Sequence, residues 1–331
     1  MTPRLSVIIP TCSRPHLLER AIHSALNAAA DNEVEVVVVP NGADTAWRTI
    51  AERCRSDARI HWYPMPVAHA SAARNAGLAH ARGTYVRFLD DDDYLFPAAA
   101  GQIDLIESSH ADVCSAPLQV ISANGRAGTT YALPTAADFT TSALLSIAIS
   151  GLTQGSVFRR TAVADTRWRE DVALYDDYLW LLDLAGDKEL RWRQSRPPVG
   201  AYVQHDGSRL SRLRRSASNS RPLVAAIVAL HAQLRASERL TAERQDAISA
   251  ALLTHAHSAF PADPGFLGTA IRIAHAIAPD ALPLQAIFVE HPWLARNLLA
   301  TEWALLAPRL LSRGWRRALW TVRAWSSRAH A

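Results

Sequence analysis

Two patterns of apolar and polar positions alternate along roughly the first 120 residues. Residues 5–9, 34–39 and 85–89 are short, almost continuously apolar runs, which is typical of strands buried on both faces of a sheet. Residues 14–30 and 71–81 carry apolar side chains every three or four positions, which predicts helices. This alternation predicts an α/β fold with a mostly parallel, Rossmann-like central sheet flanked by helices.

Shorter elements complete this region. Helices are predicted over residues 46–54 and 98–108, and strands over residues 60–63 and 113–116. Ser13 is a suitable N-cap for the first helix, because its hydroxyl can accept from a free backbone N–H. Gly83 is expected to end the helix over residues 71–81.

The pattern changes in the last third of the chain. From residue 221 onwards, amphipathic helices are predicted over residues 223–234, 242–260 and 268–278, and prolines separate them. No further strand pattern follows. We therefore expect two domains, an α/β domain over residues 1–215 and an all-helical appendage over residues 216–331.

The final predicted helix, over residues 308–328, is basic and amphipathic. Four arginines lie on one face of a helical wheel, and the opposite face is apolar and contains Trp315 and Trp325. Such a helix suits the surface of a membrane with anionic lipids. Packing against its own domain, or against a second subunit in a homodimer, is an open alternative.

The charge of the chain is unevenly distributed. Its net charge is +4, but residues 1–207 carry 19 basic and 24 acidic side chains, whereas residues 208–331 carry 16 and 7. A basic last third indicates an anionic partner or surface. Nucleic acid is not the expected partner, because this region has few ordered repeats of aromatic and basic residues.

The cysteines and the hydropathy pattern favour the cytoplasm. Cys12, Cys54 and Cys114 are odd in number and far apart, as free thiols in a reducing compartment are. The first apolar run is too short for the core of a signal peptide, and no run approaches the ~20 residues that span a bilayer. We expect a cytoplasmic protein, with contact at the inner face of the cell membrane left open.

Four consecutive carboxylates, Asp90 to Asp93, follow the predicted strand over residues 85–89. Like charges this close raise one another's pKa unless a cation lies among them. Mg²⁺ and Mn²⁺ prefer oxygen ligands and share their coordination with substrate phosphates. The run therefore predicts a metal–diphosphate site at the carboxyl edge of the sheet, where open α/β sheets bind ligands. The alternative is a solvated acidic turn.

A second acidic pair, Asp176 and Asp177, begins an amphipathic stretch over residues 178–185. The pair can supply a general base, or it can cap the helix and interact with the helix dipole. Neither a Gly-x-Gly-x-x-Gly fingerprint nor a Walker A motif accompanies these carboxylates. A nucleotide site in this chain must therefore use other groups.

Taken in order, these motifs resemble the nucleotide-diphospho-sugar transferases of glycosyltransferase family 2, which have the GT-A fold. The similar segments are residues 5–14, 36–44, 73–78, 83–97, 155–160 and 176–182, and the similarity ends near residues 202–211. They extend over about two-thirds of the chain. Each motif is weak by itself, and their occurrence in the family's order is what makes the resemblance specific.

The resemblance implies a role for individual residues. It places Pro10, Thr11, Arg14, Asn41, Arg74, Asp90 and Asp91 around the donor nucleotide and its sugar, Asp92 and His205 on the metal, and Asp177 as the general base. Asn41 departs from the family's Asp-Asp-Gly-Ser motif. A lone histidine such as His205 is alternatively structural. Arg159 and Arg160 are either acceptor-side residues or a solvated basic pair.

The implied activity is an inverting, Mn²⁺- or Mg²⁺-dependent transfer of a sugar from a UDP- or dTDP-sugar. The acceptor would be a hydroxyl of a glycan or lipid-linked glycan, for example in a bacterial surface polysaccharide. A sugar-phosphate nucleotidyltransferase is disfavoured, because residues 10–13 are not a glycine-rich loop. A non-catalytic binding protein on a decayed transferase scaffold is the second hypothesis, and Asn41 is its main support.

Overall fold

A computed structural model describes residues 2–29, 33–148, 153–172, 174–204, 217–260 and 264–307. The strands are β1 (Leu5–Thr11), β2 (Val34–Pro40), β3 (Ile60–Trp62), β4 (Tyr85–Phe88), β5 (Tyr94–Leu95), β6 (Val113–Ser115), β7 (Leu118–Ile121), β8 (Ala127–Tyr131), β9 (Ser156–Arg159), β10 (Trp192–Gln194) and β11 (Gly200–Val203). The α-helices are α1 (Pro15–Leu26), α2 (Trp47–Arg53), α3 (Ala70–His80), α4 (Gly101–Ser108), α5 (Phe139–Leu145), α6 (Arg160–Val163), α7 (Asp176–Asp187), α8 (Ala217–Ala236), α9 (Ala242–Ala259), α10 (Pro264–Ile277), α11 (Ala286–Glu290) and α12 (Leu298–Ala304).

The central sheet has seven strands in the order β10-β6-β9-β4-β1-β2-β3. Strands β4, β1, β2 and β3 are parallel to one another, and β9 runs antiparallel to both of its neighbours. The prediction of a mostly parallel sheet is therefore confirmed. Because β1, β2 and β4 are parallel, their carboxyl ends lie at the same edge of the sheet.

Alternating side chains of these strands fill two apolar layers. Val7 and Ile9 of β1 pack on one face with α1 and α4, whereas Ile8 packs on the other face with Val37, α3 and α7. Every residue of β1 and β2 is buried. This two-sided burial explains why both strands are almost continuously apolar in the sequence.

A second sheet, in the order β5-β11-β7-β8, was not predicted. β5 has two residues, and β8 is largely exposed, so neither strand has the apolar pattern that identifies a buried strand. This sheet packs beside the acidic run, because the Val203 N–H of β11 donates to Asp93 Oδ1 at 2.6 Å.

The C-terminal region is helical, as predicted. Its apolar core includes Leu223, Ile227 and Ile248, and it is continuous with Tyr178 and Leu182 of α7. The predicted boundary between residues 215 and 216 lies outside the described residues, so the division into two domains stays a prediction. The predicted basic helix over residues 308–328 also lies outside them. No helix in the described ranges is long and apolar enough to span a membrane.

Two predicted helix ends are wrong. Ser13 has a left-handed backbone (φ 58°), and α1 begins at Pro15 with Arg14 at the N-cap position, so Ser13 lies one residue too early to cap the helix. The helix α3 ends at His80 with Ala81 at its C-cap position. Gly83 lies beyond that end, and its N–H donates to Ser6 Oγ at 2.8 Å.

Gly83 is required by this close approach to β1. A Cβ at this position would lie 2.6 Å from Ser6 N and 2.8 Å from Leu5 C. We expect Gly83→Ala to lower the free energy of unfolding by about 1–3 kcal/mol, because backbone atoms of a buried strand would have to move. Urea denaturation measures this change.

Gly101→Ala in α4 is the matched control. A Cβ at Gly101 would meet no atom within 4 Å, so this substitution should be neutral or stabilising by up to about 1 kcal/mol. Equal midpoints for the two variants would show that the approach of Gly83 to β1 imposes no steric requirement.

Candidate active site

The predicted nucleotide residues meet at the carboxyl edge of the central sheet. Thr11 ends β1, Asn41 directly follows β2, and Asp90 follows β4 by two residues. Arg14 lies between β1 and α1, on the same edge. Pro10 is buried within β1, next to Thr11, and is paired with Val39.

Asp91 lies beneath the site and holds two of its residues. Its carboxylate is completely buried, accepts a hydrogen bond from Thr11 Oγ1 at 2.6 Å, and lies 2.6 Å from Arg14 Nη2. Burial raises the pKa of Asp91 to about 7, against the lowering effect of Arg14 and Thr11. Asp91 does not face solvent, and its contacts hold the side chains of Thr11 and Arg14 in place.

The other three carboxylates of the run form a cluster. One oxygen from each of Asp90, Asp92 and Asp93 lies within 4.8 Å of the other two. Arg14 Nη1 donates to Asp92 Oδ2 at 2.7 Å. Three converging carboxylates fit the hard-oxygen preference of Mg²⁺ or Mn²⁺. His205, the other predicted ligand, lies outside the described residues.

Arg74 of α3 joins the acidic run to the second acidic pair. Its guanidinium donates to Asp90 Oδ1 at 2.8 Å and to Asp176 Oδ2 at 2.7 Å. The guanidinium carbon also lies 4.5 Å from the centre of the Trp168 ring. Burial lowers the pKa of Arg74, but the charges of Asp90 and Asp176 raise this pKa by more than burial lowers it. The side chain therefore stays positively charged. Arg74 brings carboxylates 86 residues apart in sequence into one site.

Asp177 lies next to this bridge. Its Oδ1 accepts a hydrogen bond from the Tyr178 N–H at 2.7 Å. Burial raises the pKa of Asp177, and the charge of Asp176 raises it further, whereas Arg74 lowers it. A carboxylate with a raised pKa is a stronger base, which suits a residue that must remove a proton.

The alternative role of the acidic pair as a helix N-cap is wrong for Asp176. The N-cap of α7 is Tyr175, whose backbone is left-handed (φ 63°) and whose side chain makes no capping hydrogen bond. Asp176 belongs instead to the first turn, where it accepts from Arg74. Tyr175 packs edge-on against the buried His255 of α9, with ring centres 5.8 Å apart. This contact holds the start of α7 against the C-terminal helices.

The side-chain amide of Asn41 is hydrogen-bonded to backbone atoms. Its Nδ2 donates to Thr11 O at 2.9 Å and to Val39 O at 3.3 Å, and its Oδ1 accepts from the His69 N–H at 3.0 Å. Asn41 therefore ties the end of β1 to β2 and to the start of α3. Both of its amide hydrogens are used in these bonds.

A small cleft, partly open to solvent, lies in front of Asn41. It is lined by Thr11, Ser13, Arg14, Pro15, Asn41, Asp44 and Trp47. Asp44 and Trp47 were not among the predicted site residues. The sequence offered only an acidic residue two positions and an aromatic residue five positions after Gly42, near a strand end, and this pattern is too common to identify a site.

Arg159 and Arg160 do not reach this site. Arg159 is paired with Tyr85 at the start of β4, and its Nη2 donates to Ala111 O at 3.0 Å. Arg160 Nε donates to Gly83 O at 2.7 Å. Both arginines therefore lie at the opposite edge of the sheet, where they satisfy backbone carbonyls.

Comparison with known proteins agrees with this arrangement. Residues 6–167 match the family model described as glycosyl transferase family 2. This region is a glycosyltransferase family 2 domain. A segment of 99 residues is 35% identical to the uncharacterized glycosyltransferase EpsJ of Bacillus subtilis, covering 30% of this chain and 28% of that protein.

Two further relatives are named as glycosyltransferases. Over 99 residues the chain is 35% identical to GalNAc(5)-diNAcBac-PP-undecaprenol beta-1,3-glucosyltransferase of Campylobacter jejuni, covering 29% of this chain and 32% of that protein. Over 93 residues it is 33% identical to an uncharacterized glycosyltransferase of Rickettsia bellii, covering 28% of this chain and 13% of that protein. The matches thus span a third or less of each of these relatives.

Solved structures share the fold over most of the chain. S. aureus TarS 1-349 in complex with UDP-GlcNAc superposes with a TM-score of 0.67 and 18% identity, covering 91% of this chain and 87% of that one. The mannosyltransferase PcManGT from Pyrobaculum calidifontis, with GDP-Man and Mn²⁺, gives a TM-score of 0.50 and 19% identity, covering 94% and 88%. The family 2 domain therefore has the GT-A fold.

Proposed function

We propose that this protein is an inverting glycosyltransferase that uses a nucleotide-diphosphate sugar, UDP- or dTDP-linked, and an acceptor hydroxyl. The observation that carries the proposal is the Arg74 bridge between Asp90 and Asp176. It brings the carboxylate cluster, which suits a metal and a diphosphate, beside Asp177, which suits a general base. Donor activation and acceptor deprotonation can therefore occur in one site.

On the donor side, Thr11 and Arg14 would border the nucleotide, and Asp90 would accept hydrogen bonds from hydroxyls of the ribose or the sugar. Asp92, together with Asp93 and the predicted ligand His205, would hold Mn²⁺ or Mg²⁺. When bound, such a cation neutralises negative charge on the leaving diphosphate. Arg14 lies close enough to Asp92 to add positive charge there.

On the acceptor side, Asp177 would take the proton of the attacking hydroxyl. The hydroxyl oxygen forms a bond to the anomeric carbon, while the bond from that carbon to the diphosphate oxygen breaks and the diphosphate leaves with the electron pair. Attack from the face opposite the leaving group inverts the anomeric configuration. Burial, which raises the pKa of Asp177, supports this assignment.

The acceptor would be a glycan or a lipid-linked glycan. The name of the C. jejuni relative, which includes an undecaprenol-linked glycan, supports a lipid-linked acceptor. A cytoplasmic location, a membrane contact through residues 308–328 and a homodimer stay predictions. The second hypothesis, a non-catalytic scaffold, draws support from the backbone-engaged amide of Asn41, whereas the paired acidic clusters favour catalysis.

The decisive experiment is a thermal-shift screen of the full chain with UDP-, dTDP- and GDP-sugars, with and without Mn²⁺, together with a donor hydrolysis assay. Binding to the folded state raises Tm by mass action, so a saturating donor with Mn²⁺ should raise Tm by several degrees. Hydrolysis of the same donor would support catalysis. A protein that neither binds nor hydrolyses any nucleotide sugar would instead be a scaffold.

Asp92→Ala should remove the Mn²⁺-dependent part of this shift, because the cluster of three carboxylates loses one member. The exposed Asp165 provides the control, since Asp165→Ala should leave the shift unchanged. Titration of UDP in the presence and absence of Mn²⁺ quantifies the difference. Undiminished metal dependence in Asp92→Ala would remove Asp92 from the metal site.

A further inference from the structure

Recognition of the donor base cannot follow the usual pattern of the family in this chain. The family commonly has a carboxylate where this chain has Asn41. Here the two amide hydrogens of Asn41 are donated to Thr11 O and Val39 O, and its oxygen accepts from His69 N. Rotating this amide towards a nucleobase would break bonds that hold β1, β2 and α3 together. Another polar group must therefore contact the base.

Asp44 is that group by position and by chemistry. It is partly buried and lines the cleft in front of Asn41, together with Thr11 and Arg14. Its Oδ1 accepts from the Ala46 N–H at 3.0 Å, which fixes the direction of the carboxylate. Its Oδ2 accepts no hydrogen bond from any residue within the described ranges. One oriented acceptor thus remains on the wall of the cleft.

The position of Trp47, beside Asp44, is fixed by a second tryptophan. Trp47 begins α2, and its ring stacks on Trp62 of β3 with centres 5.5 Å apart and planes 20° apart. Trp47 itself lines the cleft. The cleft therefore combines an aromatic side chain held by Trp62 with a carboxylate acceptor.

We propose that Asp44 selects the nucleobase of the donor. A carboxylate is an acceptor only, so it pairs with a ring N–H and repels a ring lone pair. Uracil and thymine carry a ring N–H on their pairing edge, and guanine carries both a ring N–H and an amino group. Cytosine and adenine carry a ring lone pair there. This inference rests on the proposed function, and it assigns the donor to the UDP, dTDP and GDP class.

The test compares nucleotides that differ at this edge. Isothermal titration of the full chain with Mn²⁺ and UDP or CDP should show UDP binding about 10- to 100-fold more tightly, because one charged hydrogen bond is replaced by repulsion. GDP against ADP provides the same comparison for purines. Either preference, for UDP over CDP or for GDP over ADP, satisfies this first condition.

Asp44→Asn is the discriminating variant. An amide can donate or accept and can keep the bond to Ala46 N, so the preference should fall to within about threefold, with CDP or ADP gaining affinity. A merely structural role would weaken all nucleotides together. Asp57→Asn is the matched control, because Asp57 accepts from the N–H two residues ahead in a similar turn outside the cleft. It should leave the preference unchanged.

The outcomes separate the two proposals. If the wild-type protein binds nucleotides but Asp44→Asn keeps the wild-type ratio, or weakens all ligands equally, Asp44 does not select the base and the proposed transferase function stands. A wild-type preference for CDP or ADP would also overturn the role of Asp44. If the wild-type protein binds no nucleotide at all, the proposed function itself fails.

Discussion

Replacing Asp177 by asparagine is expected to lower the turnover number for sugar transfer by about 10²- to 10⁴-fold, the range that a positioned general base contributes. Donor binding should remain within about twofold of wild type, because Asp177 is assigned to the acceptor hydroxyl. Asparagine has nearly the same shape and can still accept from the Tyr178 N–H. Steady-state rates, with the Kd of UDP measured separately, distinguish a loss of catalysis from a loss of binding.

The pH dependence gives a second, independent readout. Burial raises the pKa of Asp177, so its carboxylate becomes protonated at a higher pH than an exposed aspartate. The wild-type rate should fall as the pH decreases through that raised pKa, because a protonated carboxyl cannot accept the proton. This acidic limb should disappear in the residual activity of Asp177→Asn.

Asp183→Asn in the same helix provides the control. Asp183 pairs with Arg169 on a partly exposed face and is not assigned to donor or acceptor, so its substitution should leave both the rate and the pH profile unchanged. If Asp177→Asn retains transfer within about fivefold of wild type, another group removes the proton.

Replacing Arg74 by methionine is expected to lower the free energy of unfolding by about 3 kcal/mol. Removing one partner of a buried ion pair leaves charge without compensation, which costs about 3–5 kcal/mol. The lower end applies because the side chain of Asp90 is 43% exposed and can regain water. Transfer should also collapse, since Arg74 holds the two acidic clusters in register.

Arg74→Lys separates charge from geometry. Lysine keeps the positive charge but lacks the planar guanidinium whose two terminal nitrogens donate to Asp90 and Asp176. Stability should therefore partly recover, while transfer stays low. Urea denaturation and steady-state rates measure the two effects. Arg53→Met is the surface control, because its pair with Glu19 is exposed and should contribute less than about 1 kcal/mol. Equal effects of Arg74→Met and Arg53→Met would rule out a structural role for the bridge.

The fold was largely predictable because its central strands are buried on both sides. This burial explains the almost continuously apolar runs of β1, β2 and β4, and the intervening helices show regular apolar spacing. The ends of α1 and α3 were less predictable, because caps depend on single backbone conformations such as that of Ser13. The sheet formed by β5, β7, β8 and β11 was missed, because its strands are short or exposed.

The sequence could not show which way each of the four aspartate side chains in the acidic run points. Asp91 is buried against Thr11 and Arg14, whereas Asp90, Asp92 and Asp93 converge on one another. This difference is set by contacts with residues about 80 positions earlier in the chain. Similarly, the engagement of the Asn41 amide depends on the positions of the Thr11 and His69 backbones.

The sequence alone therefore determined the strands, the helices and the edge at which the carboxylates lie, because burial and periodicity are recorded locally in the chain. Only the tertiary structure decided which carboxylates converge on one another, and it alone brought Arg74 between Asp90 and Asp176 and set Asp44 and Trp47 beside Asn41. These arrangements join residues that are distant in sequence or lie in irregular turns. Their geometry follows from the packing of the whole fold, which no local pattern encodes.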